Sequence, residues 1–498
     1  MDGQQLGWRV KTLTDVGRVV VRNSALSMAA QIAIKGISFA WTIMIVRRLG
    51  EAAFGQYSAV LAYGALFVFM ADLGLSPFAV REIARLRDAP DGAARVDALF
   101  GVVLRLRLVL ALITAVVLIT TVWLLGRPPV IVGAVALGTL GLLMYGVEGA
   151  CETVLSGLER LDLVAGARFL WQVLFVGVGW VALTLKQDYY GLIYANLVGI
   201  AVMTVLCWVR VRRLGVRPRG RLHHPLHLLR ASLPFGLIGF TLGLSYRFDT
   251  VLLSQFRGDA VTGFYNAAYG LVFATVMISN VINTSLYPSV TRQAVLNAGS
   301  LGQIYERVLG YLLIVSLPIA VGGCLLADQV VAFLYGPAYA PAVAGLRIII
   351  WTAPLMFVSE FLGYMVLVNG QERVAARAVL CSTALNVACN LVLVPRFGLA
   401  AAAVMTVATE AVLVGQYVWR LRTILATLDL SRSVLRPALA AVLMGVLVVM
   451  VRGHLPFLGS VAVGALVYAA LLLALRAIGS DEIAFVRAMR APEGRTAS

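Results

Sequence analysis

Residues 50–59 read GEAAFGQYSA, and residues 258–267 read GDAVTGFYNA. Identical residues recur between the two stretches at one constant spacing: Gly50/Gly258, Ala52/Ala260, Gly55/Gly263, Tyr57/Tyr265 and Ala59/Ala267. Further pairs follow in the same order at nearly that spacing: Pro77/Pro288, Arg81/Arg292, Glu148/Glu360, Gly157/Gly370, Glu159/Glu372, Arg160/Arg373, Gly191/Gly398 and Leu192/Leu399. Apolar low-complexity sequence can also match itself, but most of these residues are not the common Leu, Val or Ala. The ordered matches therefore predict two homologous halves.

The composition places the chain in a membrane. Its 498 residues are 60% hydrophobic and 13% charged, whereas a soluble domain carries about 25% charged residues. The mean hydropathy is +0.90. Repeated apolar runs of about 20 residues predict an all-α polytopic membrane protein. The five cysteines fall in or beside these runs without metal-ligand spacing, and the N-terminus lacks the pattern of a cleaved signal peptide.

Fourteen membrane-spanning helices are expected. The first set covers roughly 26–46, 54–75, 106–125, 130–150, 163–185 and 189–209. The second covers roughly 233–255, 263–287, 309–327, 346–368, 374–394 and 398–419, and two further helices cover roughly 435–451 and 457–475. Six helices in each half make the repeats parallel.

These spans suggest a domain organisation. It comprises an amphipathic N-terminus 1–25, an N-lobe 26–209, a basic linker 210–232, a C-lobe 233–422, two added helices within 423–478, and a tail 479–498. The large majority of the 41 Lys and Arg residues fall on the side that carries both termini. The positive-inside rule therefore predicts cytoplasmic termini. It also explains the net charge of +17 without a nucleic-acid partner.

Ionisable side chains inside the spans are the candidate functional residues, because a charge at the bilayer centre is costly unless it has a partner or faces water. Lys35 and Arg247 are predicted to face a central cavity and bind an anionic substrate such as a pyrophosphate. Tyr246 can stack on sugar rings. Asp249 is assigned to the same substrate site. Its spacing of two residues from Arg247 turns it toward a neighbouring helix.

Glu360 and Glu410 are predicted to couple transport to ions. Internal ion pairing, for example of Lys35 with Glu410, is the alternative to these roles. Asp72, Glu148 and Arg168 lie nearer the cytoplasmic ends, where snorkelling lowers the cost of a charge. Three histidines could suggest a metal site, but they lie in a basic loop beside Pro225 and are better explained as surface residues: His223, His224 and His227.

No known catalytic signature accompanies these residues. The sequence contains no Walker motif, no HExxH and no GxSxG. We therefore expect no enzyme activity, no cofactor and no metal, and an ATP-driven pump is disfavoured. A membrane glycosyltransferase or ligase would require a large extracytoplasmic loop or an acidic motif, and the outer loops are short.

The loops and helix ends resemble those of the polysaccharide transporter, or oligosaccharide flippase (Wzx-like), family. The resemblance covers nearly the whole chain and is carried by these motifs: Arg47-Arg48-Leu49-Gly50 with Phe54-Gly55-x-Tyr57, Asp72-Leu73-Gly74 with Arg81-Glu82, Arg247-x-Asp249, Gly263-x-Tyr265-x-Ala267, Leu334-Tyr335-Gly336-x-x-Tyr339 with Leu346-Arg347-Ile348, and Asn390-x-x-Leu393-x-Pro395-x-x-Gly398. It implies the fold of multidrug-extrusion antiporters (MATE) and lipid II flippases (MurJ), with two six-helix lobes in a V.

The resemblance also implies a function and partners. The expected substrate is undecaprenyl-pyrophosphate-linked oligosaccharide, moved across the bacterial cytoplasmic membrane by alternating access for O-antigen, exopolysaccharide or capsule synthesis. A polysaccharide polymerase and chain-length proteins are expected partners beside the lipid bilayer. A cation-coupled multidrug exporter and a lipid II-type precursor flippase are the alternatives. Against the exporter stand the basic Lys35 and Arg247 and the two added helices.

Overall fold

A computed structural model describes residues 13–219, 225–296, 301–425, 429 and 431–477. For a few stretches, chiefly 13–33 and 284–296, only the backbone is described. The amphipathic segment before residue 13, His223, His224 and the tail beyond residue 477 lie outside this range. Every regular element within it is helical, which confirms the predicted all-α class.

Thirteen helical segments of the described chain are long and apolar enough to cross a bilayer. The first of them, Ile34–Asp72, contains 39 residues, about twice the 20 or so that span the hydrocarbon core. It belongs to helix α1 (Leu13–Asp72), in which Gly50 has a non-helical backbone with φ 75° and ψ 177°. Only glycine adopts this conformation without strain. Gly50 therefore divides α1 into two helices. When α1 is counted as two crossings, the thirteen segments accommodate the fourteen predicted crossings.

The remaining helices follow the predicted order. The first half continues with α2 (Leu75–Leu86), α3 (Gly92–Leu124), α4 (Pro129–Gly157), α5 (Leu161–Thr184) and α6 (Tyr189–Arg213). The second contains α7 (Pro225–Phe256), α8 (Asp259–Leu296), α9 (Leu301–Leu325), α10 (Ala327–Tyr335), α11 (Ala342–Ile349), α12 (Thr352–Val368), α13 (Glu372–Phe397) and α14 (Leu399–Leu425). Two more helices follow in the described part of the chain: α15 (Arg436–Val451) and α16 (Phe457–Ala474).

Two short elements escaped the sequence analysis. Helix α2 has 12 residues, and it buries Leu75, Ala79 and Ile83 on one side. Their spacing of four residues is that of an amphipathic surface helix rather than of a membrane span. Helix α10 has nine residues. Neither is long enough to cross a bilayer, which is why a search for apolar runs does not detect them.

The described residues form two compact units. The first comprises residues within Met1–Arg48 and Tyr63–Phe240, and the second comprises Leu49–Ala62 and residues from Thr241 onward. The division falls inside α7. The basic stretch 210–232 contains the end of α6 and the start of α7. Basic residues in the last turn of α6 suit its negative dipole end. The division into six segments proposed from the sequence stays a prediction.

Each unit has an apolar core of its own. Phe100, Val154 and Cys207 belong to the core of the first unit. The second unit has one core around α12 and another between α9, α15 and α16 that includes Met444. The opposite faces of α15 and α16 expose large apolar side chains, among them Leu466 at 71%. Such exposure is expected of helices whose solvent is lipid.

Candidate functional site

Asp249 lies at the centre of a hydrogen-bond network in the second unit. Its side chain, from α7, is only 4% exposed. The hydroxyl groups of Tyr265 and Thr406 lie 2.9 and 3.1 Å from one carboxyl oxygen. The amide of Asn390 donates to the other oxygen at 2.7 Å. A buried carboxylate without hydrogen bonds would be strongly destabilising, so these donors from α8, α13 and α14 are what allow Asp249 to be buried.

The network continues along α13 and α14. Asn390 also donates to the side-chain oxygen of Asn386 at 3.1 Å, and Asn386 donates to the hydroxyl of Thr409 at 3.2 Å. Within the described chain, the side-chain oxygen of Asn390 is buried and accepts no hydrogen bond. A buried acceptor without a donor calls for an explanation. Beside the Asp249 carboxyl group, it adds a second oxygen suited to a hard cation.

A cavity of about 50 Å³ opens beside this network. Glu410, Asn386 and Thr409 contribute polar groups to its wall, and Tyr246 and Tyr269 contribute their rings. A volume of this size accommodates a few water molecules. The cavity is too small for an oligosaccharide, but it suits a small ion with its water.

Glu360 and Glu410 are both half-buried and both hydrogen-bonded. Glu360, on α12, accepts hydrogen bonds from the Ser279 hydroxyl at 2.7 Å and from the Asn283 amide at 3.3 Å. Glu410, on α14, accepts one from the Ser359 hydroxyl. The structure therefore places Asp249, Glu360 and Glu410 in the polar interior of the same unit.

The predicted cationic residues lie in different units. Arg247 is half-buried on α7 of the second unit. Beside it, Tyr246 is 37% exposed, and its ring packs edge-on against Phe273 with centroids 5.4 Å apart. Lys35 belongs to the first unit and has an exposed side chain. The roles of Lys35, Tyr246, Arg247 and Asp249 in substrate binding stay a prediction.

The first unit contains an ionic cluster whose central residue the sequence analysis missed. Arg107 is fully buried, its guanidinium lies 2.8 Å from Asp72, and it packs over the ring of Tyr145. Arg107 was not singled out from the sequence, because the predicted span began at about residue 106 and placed it at the very start of a helix. Because α3 begins at Gly92, Arg107 lies well inside the helix and is enclosed by its neighbours.

Across the described ranges, no three His, Cys, Asp or Glu side chains are grouped so that they could hold a metal ion. All five cysteines are free. His223 and His224 fall outside the described residues, so their prediction as surface histidines is untested.

Spanning helices with apolar outer faces define a polytopic α-helical membrane protein, and the buried carboxylate–amide network lies in its interior. The structure is similar to that of "Lipid II flippase MurJ, inward closed conformation", with a TM-score of 0.77 and 12% identity over 91% of this chain and 99% of that one. It is also similar to an inward-facing multidrug resistance MATE family transporter of the MOP superfamily, with a TM-score of 0.60 and 16% identity over 80% of this chain and 99% of that one. At such identities the likeness establishes the fold.

Sequence comparison identifies the family. The family described as "Polysaccharide biosynthesis protein" matches residues 20–293, more than half of the chain, and the chain belongs to it. The "Probable low-salt glycan biosynthesis flippase Agl15" of Haloferax volcanii is 22% identical over 275 residues, which cover 55% of this chain and 58% of that protein. The "Putative O-antigen transporter" of Escherichia coli K12 is 24% identical over 382 residues, 74% of this chain and 88% of that protein.

Proposed function

We propose that this protein is a flippase that moves undecaprenyl-pyrophosphate-linked oligosaccharide repeat units from the inner to the outer leaflet of a bacterial cytoplasmic membrane. The repeat units would serve O-antigen, exopolysaccharide or capsule synthesis. Membership of the polysaccharide biosynthesis family and the names of its two relatives support this class of cargo. The protein would change the position of the substrate by alternating access without making or breaking a covalent bond.

The observation that carries the proposal is the polar interior of an apolar bundle. Asp249, Glu360 and Glu410 lie within helices that otherwise present apolar faces to their surroundings. Ionisable groups in such helices are costly and mark pathways of substrates or ions. A protein that only anchored a complex in the membrane would not need them.

The charged part of the substrate would be met by Arg247 and Lys35. A pyrophosphate cannot cross hydrocarbon without losing its hydration, which makes unaided transfer prohibitive. A guanidinium binds phosphate through a bidentate fork, and an ammonium acts as a point charge. We assign Arg247 the main contact, Lys35 a supporting one, and the exposed ring of Tyr246 a stacking contact with sugar.

Transport would be coupled to a cation or a proton in the second unit. Asp249, Asn390 and Thr406 offer carboxylate, amide and hydroxyl oxygens, the ligand types that suit hard cations. The Asn390 side-chain oxygen, which accepts no hydrogen bond from the described residues, fits a bound ion. Glu410 lines the adjacent cavity, and Glu360 lies in the same unit, so both are candidates for carrying a proton.

The same physical reasoning assigns topology and partners. The concentration of arginines in the predicted inner loops supports cytoplasmic termini. Because an exported repeat unit has to be polymerised, a polysaccharide polymerase and chain-length proteins are the expected partners.

The multidrug exporter is the second candidate, because the fold is shared with a MATE family transporter. Expression in a strain that lacks its oligosaccharide flippase separates the two. A flippase restores surface polysaccharide without changing drug resistance. An exporter raises resistance to cationic drugs and leaves the polysaccharide absent, a result that would refute the proposal.

A further inference from the structure

The ionic cluster of the first unit has no part in the function proposed above. It consists of Asp72 at the end of α1, Arg107 on α3, Glu148 and Glu152 on α4, and Arg168 on α5. Arg107 is fully buried and Glu148 is 2% exposed. Charged groups this deeply buried are stable only when their charges are balanced, so the charge of each member has to be accounted for.

Arg107 contacts three helices at once. Its guanidinium forms a salt bridge with Asp72 at 2.8 Å and donates a hydrogen bond to Ser76. It also lies flat on α4, where a Cβ atom added at Gly149 would come within 2.5 Å of the guanidinium carbon. The glycine therefore makes room for Arg107 directly beside Glu148.

Two salt bridges of the cluster are neutral pairs, and one carboxyl group, that of Glu148, remains outside them. Asp72 balances Arg107, and Glu152 pairs with Arg168 at 2.5 Å. Among the described residues, no cation forms a salt bridge with Glu148. Glu152 lies four residues further along α4, on the same face of the helix, so an ionised Glu148 would bring a second carboxylate beside it. The Oε1 oxygen of Glu148 is buried without a hydrogen-bond partner among the described residues.

In the second repeat, the equivalent pair of residues is joined by a hydrogen bond. Glu148 corresponds to Glu360, and Asp72 corresponds to Asn283 at the spacing that relates Pro77 to Pro288. Asn283 donates a hydrogen bond directly to Glu360. In the first repeat, an ionised Asp72 has no proton to donate to Glu148. Arg107 instead lies against both α1, which carries Asp72, and α4, which carries Glu148. The first repeat thus has a carboxyl group at each position and one guanidinium between them.

We propose that Glu148 is a proton-binding site, and that loss of its proton draws Arg107 from Asp72 toward Glu148. The proton adds to a Glu148 carboxylate oxygen and leaves as a free proton, so no bond between heavy atoms changes. Because Asp72 ends α1 and Glu148 lies on α4, moving the guanidinium between them links protonation to the contact of these two helices. This site is independent of the cargo and of the ion site around Asp249.

The groups that face Glu148 come from each neighbouring helix. Charged neighbours are Glu152 on its own helix, Arg107 from α3 and Arg168 from α5. Tyr145 and Cys151 on α4 and Cys207 on α6 are further titratable groups close enough to interact with it. On α2, Ser76 is a hydroxyl group that does not titrate. Among the described residues, Arg107 and Arg168 are the cations placed to offset the negative charge that ionisation of Glu148 adds.

Infrared difference spectroscopy of the purified full-length protein tests the site without a substrate. At neutral pH, wild type minus Glu148→Gln should contain the C=O stretching band of a protonated carboxyl group. Glu148→Gln preserves the shape and neutrality of the protonated side chain, so the variant should fold. Glu152→Gln should also lose the band, because Glu148 would then ionise and pair with Arg168. The matched control is Glu159→Gln, whose side chain is 72% exposed. It should leave the band unchanged.

A carboxylate band in place of the protonated band, in the difference between wild type and Glu148→Gln, would overturn the proposal. So would a protonated band that survives in Glu148→Gln at wild-type intensity. Neither result depends on whether the protein transports oligosaccharide. Failure of this proposal and failure of the proposed function are therefore distinguishable.

Discussion

Gly55 and Gly263, equivalent residues of the two repeats, pack against each other with no room for a side chain on either. A Cβ atom added at Gly55 would meet the backbone carbonyl of Asp259, and one added at Gly263 would meet the carbonyl of Glu51. Each helix begins just after a glycine with positive φ, Gly50 and Gly258. The stretch that reveals the repeat in the sequence is thus also where its two copies touch.

The first prediction concerns this glycine contact. Gly55→Ala and Gly263→Ala should each destabilise the protein by about 1–3 kcal/mol, because the added methyl group forces two backbones apart. Thermal unfolding in detergent should show a lower midpoint for both variants. Gly64→Ala and Gly270→Ala are matched controls, since nothing lies within 4 Å of the added atom. Equal midpoints for all four variants would show that the contact is not close in solution.

The second prediction concerns Asp249 and its cation. If the site binds Na⁺, the midpoint of thermal unfolding should rise with NaCl and not with choline chloride, since a ligand of the native state stabilises it by mass action. Asp249→Asn should lose this response. Asp328→Asn, at an exposed position on α10, is the control and should keep it. An unchanged Na⁺ response in Asp249→Asn would exclude the site.

The third prediction concerns Glu360 and Glu410. Replacing either by Gln removes a charge but keeps the amide oxygen that can accept the hydrogen bond from Ser279 or Ser359. At least one of the two variants should transport substrate in vesicles without responding to an imposed proton or sodium gradient. Responses equal to wild type in both variants would remove these carboxyl groups from the coupling mechanism.

The fourth prediction concerns topology. Reporter fusions placed after Arg219 and at Ser498 should both report the cytoplasm, because the arginine-rich segments are expected to stay inside. A periplasmic signal at either position would contradict the orientation, although not the fold.

Most of the fold could be predicted from the sequence, because a membrane span is defined by length and apolarity alone. The start of α3 could not, since residues from Gly92 onward are polar and still helical. This error concealed the burial of Arg107. The helix α2 was missed because only Leu75, Ala79 and Ile83 face the core.

The candidate site was predicted in part. Asp249, Glu360 and Glu410 stood out because an ionisable side chain in an apolar run is conspicuous. Their partners Asn390 and Thr406 did not, because neutral polar residues are tolerated in helices for many reasons. Which side chains meet depends on how the helices rotate against one another, and one sequence does not specify this.

The fifth prediction concerns Arg247 and Lys35. Arg247→Ala should abolish polysaccharide export in a flippase-deficient strain while the protein still accumulates in the membrane. Arg247→Lys should rescue only partly, since the ammonium lacks the bidentate fork. Lys35→Ala should impair export less. Arg347→Ala, an exposed arginine of the second unit, is the matched control and should export normally. Full export by the Lys35→Ala/Arg247→Ala double variant would show that these cations do not bind the substrate.

The most direct measurement of the central claim uses the purified protein in vesicles that contain a fluorescent lipid-linked oligosaccharide. A membrane-impermeant quencher added outside reports which molecules have reached the outer leaflet. We predict that wild-type protein makes the inner-leaflet population accessible, and that the Lys35→Ala/Arg247→Ala protein does not. If vesicles with wild-type protein made no more of the oligosaccharide accessible to the quencher than protein-free vesicles do, the assignment as a flippase would be contradicted.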